Sequence, residues 1–236
     1  MPTPQLFSAK LADKLTLSHK FIQLFFELVT PNYLEFTAGQ YISIAVHPDG
    51  HRRAYSICSS PGKSHGFELL VEIFPNGMGS EFLNTLQFGD EITFLAPLGT
   101  FTVAPEIKDQ PVTFVATGSG IAPFRSMILD QLQQQGRTLP ITSYWGLRHS
   151  EDLFWQDEFQ QLADEYPQFH FHPVLSQPGA EWPLCTGRVT DCLFVHELTP
   201  AAQYYLCGSS AMIEDTTRLL TERGVEKELI HREKFY

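Results

Sequence analysis

Five short stretches of this chain carry residue types that do chemistry. In Arg52-Arg53-Ala54-Tyr55-Ser56 a cation, a ring and a hydroxyl fall on one extended segment. Side chains alternate faces along a strand, so Arg53 and Tyr55 point one way and Ala54 and Ser56 the other. A guanidinium fork suits a phosphate, and a tyrosine ring suits a flat ligand. Taken alone, the segment is equally an edge strand with a solvated arginine pair. Gly77-Met78-Gly79-Ser80 leads into Glu81-Phe82-Leu83-Asn84-Thr85-Leu86. A helix start preceded by glycines lets a ligand approach closely and offers N–H groups to an anion. Ser80 is the expected N-cap.

The second half repeats that physics. Thr113-Phe114-Val115-Ala116-Thr117-Gly118-Ser119-Gly120-Ile121-Ala122-Pro123 runs from a buried strand through a glycine turn into a helix N-terminus. Such a turn favours a pyrophosphate, although Pro123 holds the place of the third glycine in the G-x-G-x-x-G fingerprint. A tight strand–helix turn with no ligand is the plainer alternative. In Tyr204-Tyr205-Leu206-Cys207-Gly208-Ser209-Ser210-Ala211-Met212, Cys207 falls at the carboxyl end of a strand, where open parallel sheets bind ligands. A buried structural cysteine is the commoner fate of such a residue. The chain closes on Glu233-Lys234-Phe235-Tyr236, and two terminal aromatics suggest a docked end. Two anion sites, one in each half, point to two phosphate-bearing ligands or the two halves of a redox pair.

The elements that must position these residues divide near Ala104–Gln110, a polar, proline-flanked linker. Before it, Phe21–Val29, Gly39–Val46, Gly66–Phe74 and Glu91–Leu95 alternate like strands between turn clusters, which predicts an antiparallel barrel or sandwich. One helix, buried through Phe82, Leu83 and Leu86, interrupts them. After the linker, strands at 112–116, 141–145, 169–175 and 203–207 alternate with helices at 123–135, 150–165, 189–197 and 212–223. That alternation predicts a doubly wound parallel sheet. The expected domains are therefore 1–108, an antiparallel β-barrel, and 109–236, an α/β domain.

Composition sets the remaining bounds. The 236 residues are 43% hydrophobic and 18% charged, an ordinary globular balance long enough for two cores. A formal charge of −11 argues against nucleic acid and against an anionic membrane surface as partners. No apolar run is long enough to span a bilayer, and the start lacks the basic and apolar regions of a signal peptide. Cys58, Cys185, Cys192 and Cys207 show no zinc-ribbon or iron–sulfur spacing, so no metal site is expected. They read as reduced thiols of a cytoplasmic protein, with Cys185 and Cys192 unrelated to one another. His170 and His172 lack a third ligand.

In order along nearly the whole chain, these pieces resemble the ferredoxin–NADP reductase family of flavoproteins. Arg53-Ala54-Tyr55-Ser56 is similar to its R-x-Y-S flavin motif and Gly77-Met78-Gly79-Ser80 to its G-x-x-S pyrophosphate loop. Thr117-Gly118-Ser119-Gly120-Ile121-Ala122-Pro123 resembles its nicotinamide-nucleotide loop, and Cys207-Gly208 through Met212 its C-G-x-x-x-M motif. The resemblance implies a six-stranded FAD-binding barrel followed by an NAD(P)-binding α/β domain. It assigns Arg53 to the flavin phosphate, Tyr55 to the ring and Ser56 to the N5 edge. Gly77, Gly79 and Ser80 would hold the FAD pyrophosphate, with backbone contacts from the strand at Val71 to Ile73. Thr117, Gly118, Gly120 and Pro123 would hold the dinucleotide, whose nicotinamide would meet Cys207, near Gly208 and Met212. Glu233 would stabilise charge nearby, and Phe235 or Tyr236 would cover the flavin until the nicotinamide displaces it.

Arg148 lies where some members grip the 2′-phosphate of NADPH, but Gln177 stands where a second arginine is common, so NADPH and NADH both stay open. The implied activity takes a hydride from the nicotinamide to FAD and passes electrons to a separate carrier such as ferredoxin or flavodoxin. An NAD(P)H:flavin reductase, the reductase component of an oxygenase and a non-catalytic flavin- or nucleotide-binding regulator are the alternatives.

Overall fold

The computed structural model describes residues 3–75, 77–107 and 109–235. It divides into two compact units. One holds the chain up to Val103 together with Ala122–Gln135, and the other holds Ala104–Ile121 and Gly136 onwards. The helix that follows the first strand of the α/β half therefore counts with the first unit.

In the first unit six strands, β1 (Gln5–Thr16), β2 (Phe21–Thr30), β3 (Tyr41–Ala45), β4 (Arg52–Ser56), β5 (Gly66–Glu72) and β6 (Glu91–Leu98), form one sheet in the order β4-β3-β6-β1-β2-β5. Every pairing is antiparallel. The sheet curls until its edges meet at an Ile57–Leu69 bridge, where the Cys58 N–H donates to Glu68 O at 2.9 Å. Period-2 alternation fills the interior, with Phe7, Ala9 and Leu11 of β1 and Ile42 and Ile44 of β3 pointing inward. Phe67 packs within 5.2 Å of Phe26 and 5.0 Å of Phe94, ring centre to ring centre. Burying each such ring is worth about 2–3 kcal/mol. Helix α1 (Met78–Thr85) adds Leu83, with Leu86 just beyond it, to this core.

Helix α2 (Ile121–Leu129) runs into a wider turn at Asp130–Gln134 and ends at Gly136, which takes the left-handed φ of 59°.

The second unit is a wholly parallel sheet of β7 (Val112–Thr117), β8 (Ile141–Leu147), β9 (Phe169–Leu175), β10 (Cys185–Thr186), β11 (Gln203–Gly208) and β12 (Ile230–Lys234). Its order is β10-β9-β8-β7-β11-β12. The chain leaves β7 in one direction and returns on its other side at β11, so the topological switch lies between those two strands. Ligands of open parallel sheets sit at the carboxyl ends of such a pair. Helices α3 (Gln156–Glu165), α4 (Val189–Val195) and α5 (Ser210–Glu222) make the crossovers.

Several local expectations need correction. Ser80 is the third residue of α1 rather than its cap. Its hydroxyl accepts from the Gly77 N–H and donates to Gly77 O, both at 3.0 Å. Ser150 opens a separate single turn and α3 starts only at Gln156, because the chain breaks at Leu153. Cys185 and Cys192 are neither reduced nor unrelated: they form a disulfide with Cα atoms 5.9 Å apart, and only Cys58 and Cys207 of the four remain thiols. Sequence spacing hid this pair because a left-handed turn at Gly187 (φ 107°) folds α4 back onto β10.

Candidate active site: two half-sites

The first half-site forms where α1 begins over β4. Arg53 and Tyr55 share a face of the sheet with their register partners Ile44 and Ile42. Gly79 rests directly on that face. A Cβ there would lie 2.4 Å from Tyr55 Oη and 2.8 Å from Arg53 Cγ, so only glycine lets the helix start approach so closely. The result is an exposed guanidinium, a half-buried phenol ring and the first turn of a helix in one place. The N–H groups of a first turn have no partners within the helix, and with the dipole they favour an anion. This donor set fits a phosphate attached to a flat ring.

Ala54 is exposed on the opposite face, and Ser56, also on that face, is buried. Val71 points into the barrel core, whereas Ile73 is half-buried beyond the end of β5, its N–H donating to Lys20 O at 2.7 Å.

A buried polar network, which no sequence motif announces, fixes the segment after Ser56. Arg125 Nη1 donates to Cys58 O and to Glu68 Oε2, both at 2.9 Å, and Gln23 Nε2 donates to the same carboxylate oxygen at 3.0 Å. Lys63 bonds the other oxygen. Burial on its own would raise the Glu68 carboxyl, but Arg125 and Lys63 outweigh it and hold the group below its ordinary range. Ser126 Oγ donates to Ser59 O at 2.6 Å, and Ser59 Oγ accepts from the Glu68 N–H at 3.1 Å. Arg125 and Glu68 lie 57 residues apart, and nothing in either local sequence marks the pair.

The second half-site is the switch point between β7 and β11. Here backbone meets backbone. A Cβ on Gly120 would lie 2.3 Å from Cys207 O, and one on Gly208 (φ 140°) would lie 2.3 Å from Thr117 Oγ1 and 2.9 Å from Thr117 O. The Ser209 N–H donates to Thr117 Oγ1 at 3.2 Å, and Trp145 Nε1 donates to Gly118 O at 3.0 Å. Gly120 is thus spent on strand–turn contact, while Thr117 and Gly118 stay partly open. Pro123 is buried in the first turn of α2. Met212 packs in the core under α5, whose cap, Ser209 Oγ, accepts from the Met212 N–H at 3.3 Å.

Cys207 is fully buried beside its register neighbour Glu233 on β12. Burial first, and the neighbouring carboxylate second, push its thiol well up, so it stays a neutral S–H at physiological pH. Burial also pushes the Glu233 carboxyl up to about 7. The Phe235 N–H donates to Gly208 O at 3.0 Å, which ties the last described residues to the same strand end. Tyr236 lies outside the described residues. Arg148 is exposed just past β8, and its carbonyl accepts from the Gln177 N–H at 2.8 Å. The two positions expected to select the nucleotide are therefore neighbours across the ends of β8 and β9.

The oxidoreductase FAD-binding domain matches residues 8–103, and the oxidoreductase NAD-binding domain matches residues 114–218. Ferredoxin–NADP reductase B of Sorangium cellulosum is 32% identical, with 97% of each chain covered. The electron transfer component of toluate 1,2-dioxygenase from Pseudomonas putida is 31% identical over 97% of this chain and 67% of its own length. Several other curated relatives are spanned over only 53% of their length. Among solved structures, a cytochrome P450 reductase from Amycolatopsis superposes with a TM-score of 0.87 at 28% identity, over 98% of this chain and 70% of that one.

Proposed function

The chain belongs to the ferredoxin–NADP reductase family of flavoprotein oxidoreductases, and from that membership we propose that it carries electrons between NAD(P)H and a separate carrier protein such as ferredoxin or flavodoxin, using bound FAD. In this reading residues 1–108 hold the flavin and residues 109–236 the nicotinamide nucleotide. When bound, FAD supplies the redox chemistry, accepting electrons as a pair and releasing them singly.

The chain's own residues bind and orient. Arg53, with the first-turn N–H groups of α1 at Gly79 and Ser80, grips the flavin pyrophosphate, and Gly77 shapes the approach. Tyr55 lies against the ring system and Ser56 offers a hydroxyl to its polar edge. Val71 and Ile73 contribute backbone. On the second unit, Thr117, Gly118 and the turn N–H groups hold the dinucleotide phosphates, with Gly120, Pro123, Gly208 and Met212 fixing the backbone around them. Cys207, its neutral thiol buried at the end of β11, would back the nicotinamide site. Glu233, poised near neutrality, takes up or gives back a proton at its carboxylate. Phe235 or Tyr236 shields the flavin. Arg148 favours the 2′-phosphate of NADPH, while Gln177 adds no second cation, so the donor is NADPH or NADH.

The observation that carries the reading is the contact of Gly79 with Arg53 and Tyr55, which brings the anion-binding helix start, the cation and the ring to one point. A second reading, the reductase component of an oxygenase, is favoured by the likeness to the toluate dioxygenase component. We assign the activity to the cytoplasm. Among the described residues no helix is long and apolar enough to cross a membrane. Steady-state assays with NADPH and NADH and an artificial electron acceptor test the proposal. FAD-dependent turnover is expected, and absence of turnover with both donors in FAD-loaded protein contradicts it.

A further inference from the structure

One cluster in the second unit has no part in the redox reading. Cys185 of β10 and Cys192 of α4 are bonded as a disulfide. His196, at the C-cap of α4, places Nδ1 4.0 Å from Cys192 Sγ and 2.9 Å from Tyr144 Oη. Its N–H donates to Cys192 O at 3.3 Å, so Cys192 and His196 leave the helix one turn apart on one side. The two sulfurs and an imidazole nitrogen all lie within 4.8 Å of one another. Cys192 is buried, while Cys185 and His196 are half-buried, which gives the cluster a protected floor and an open side.

The frame that brings these groups together does not depend on the sulfur–sulfur bond. Cys185 pairs with Val174 of β9, and the Gly187 N–H donates to Leu175 O at 2.9 Å. Asp191 Oδ2 accepts from the Arg188 N–H at 2.7 Å and fills the space where a Cβ on Gly187 would go. Strand, turn and helix start are each hydrogen-bonded in their own right. Opening the disulfide therefore leaves two thiols and an imidazole facing one small volume.

We infer that Cys185, Cys192 and His196 form a site for a thiolate-seeking cation of the Zn²⁺ class, and that the disulfide is its closed form. A dithiol reductant opens it. Two electrons pass to the cysteine sulfurs, two protons move from the reductant's thiols to the new cysteine thiols, and the reductant leaves as its own disulfide. Metal binding then releases those two protons to solvent, and the imidazole supplies a lone pair without further proton loss. Two thiolates balance the dication. Three protein ligands leave the fourth tetrahedral position to water. Tyr144 Oη bonds this same His196 Nδ1 in the closed form, so that hydrogen bond gives way when Nδ1 takes the metal.

The test uses the full chain. Protein is reduced with dithiothreitol, freed of it without air, and titrated with Zn²⁺ against a chromophoric chelator. A single Zn²⁺ per chain is expected for the reduced form and none at this site for the oxidised form. Cys185→Ser and Cys192→Ser should each abolish binding, and His196→Asn should weaken it on the order of a hundredfold. Co²⁺ in place of Zn²⁺ should give a thiolate charge-transfer band. A double Cys185→Ser/Cys192→Ser variant keeps Cys58 and Cys207 and serves as the control, its folding checked by circular dichroism. If reduced wild type takes up no more Zn²⁺ than this variant, or Co²⁺ gives no thiolate band, the inference is overturned.

Discussion

The two half-sites bring their backbones close by opposite means. On the barrel, Gly79 meets two side chains, at Tyr55 Oη and at Cγ and Cβ of Arg53. Under the parallel sheet, Gly120 meets the peptide of Cys207, which cannot swing aside. The first half-site gathers an exposed cation, a ring and a helix start, and works through charge. The second encloses a fully buried thiol and a carboxyl raised to about 7. Binding at the barrel should therefore be adjustable residue by residue. The switch point should tolerate almost no change in shape but should respond to pH.

Matched alanines give the largest contrast. Gly120→Ala drives a Cβ to 2.3 Å from Cys207 O and should cost about 3 kcal/mol or more of stability by denaturant unfolding. Gly79→Ala presses on the movable Tyr55 Oη but also on Arg53 Cγ and Cβ, so it should cost less than Gly120→Ala, about 1–2 kcal/mol, while flavin retention falls. Equal destabilisation by the two would break the comparison.

Within the barrel, Arg53→Ala should weaken flavin retention by about 1.5–3 kcal/mol, the range for a hydrogen bond to a charged group. Because Arg53 is exposed, the melting temperature without flavin should hold. Ser56→Ala should keep the flavin and slow its reduction. If its reduction rate matched wild type, Ser56 would be a packing residue.

The switch point adds a pH dependence set by Glu233. Its folded pKa is raised by burial to about 7, so folding favours the protonated carboxyl. The associated stability is complete below the unfolded value of 4.5 and is lost as pH rises through about 7. For a half-buried group the loss is at most ~3 kcal/mol. Glu233→Gln should flatten the stability profile over that window, as followed by urea unfolding at a series of pH values.

Much of this was legible in the sequence because the informative residues are local. The β4 segment, the glycine helix starts and the β7–turn–α2 unit each announce themselves within a dozen residues. Other features depend on partners distant in sequence. β1 alternates at Phe7, Ala9 and Leu11, but its register shifts between Leu11 and Asp13, and the run reads as polar. β12 buries only Ile230 and exists because β11 offers it an edge, so the strand carrying Glu233 has no pattern of its own. Arg125–Glu68 is fixed by tertiary contact alone, while Cys185–Cys192, seven residues apart, depends on the turn between β10 and α4. Ser80 differs from its expected place as cap because a hydroxyl can also serve a helix start from the third position, where it accepts from the preceding Gly77 N–H.

The chain is expected to act as a nicotinamide-dependent flavoenzyme that uses both half-sites. Anaerobic rapid mixing of the FAD-loaded chain with NADPH, and separately with NADH, tests this most directly. Bleaching of the flavin absorbance by at least one donor is predicted, slower in Ser56→Ala. A flavin that stays oxidised with both donors would contradict the account.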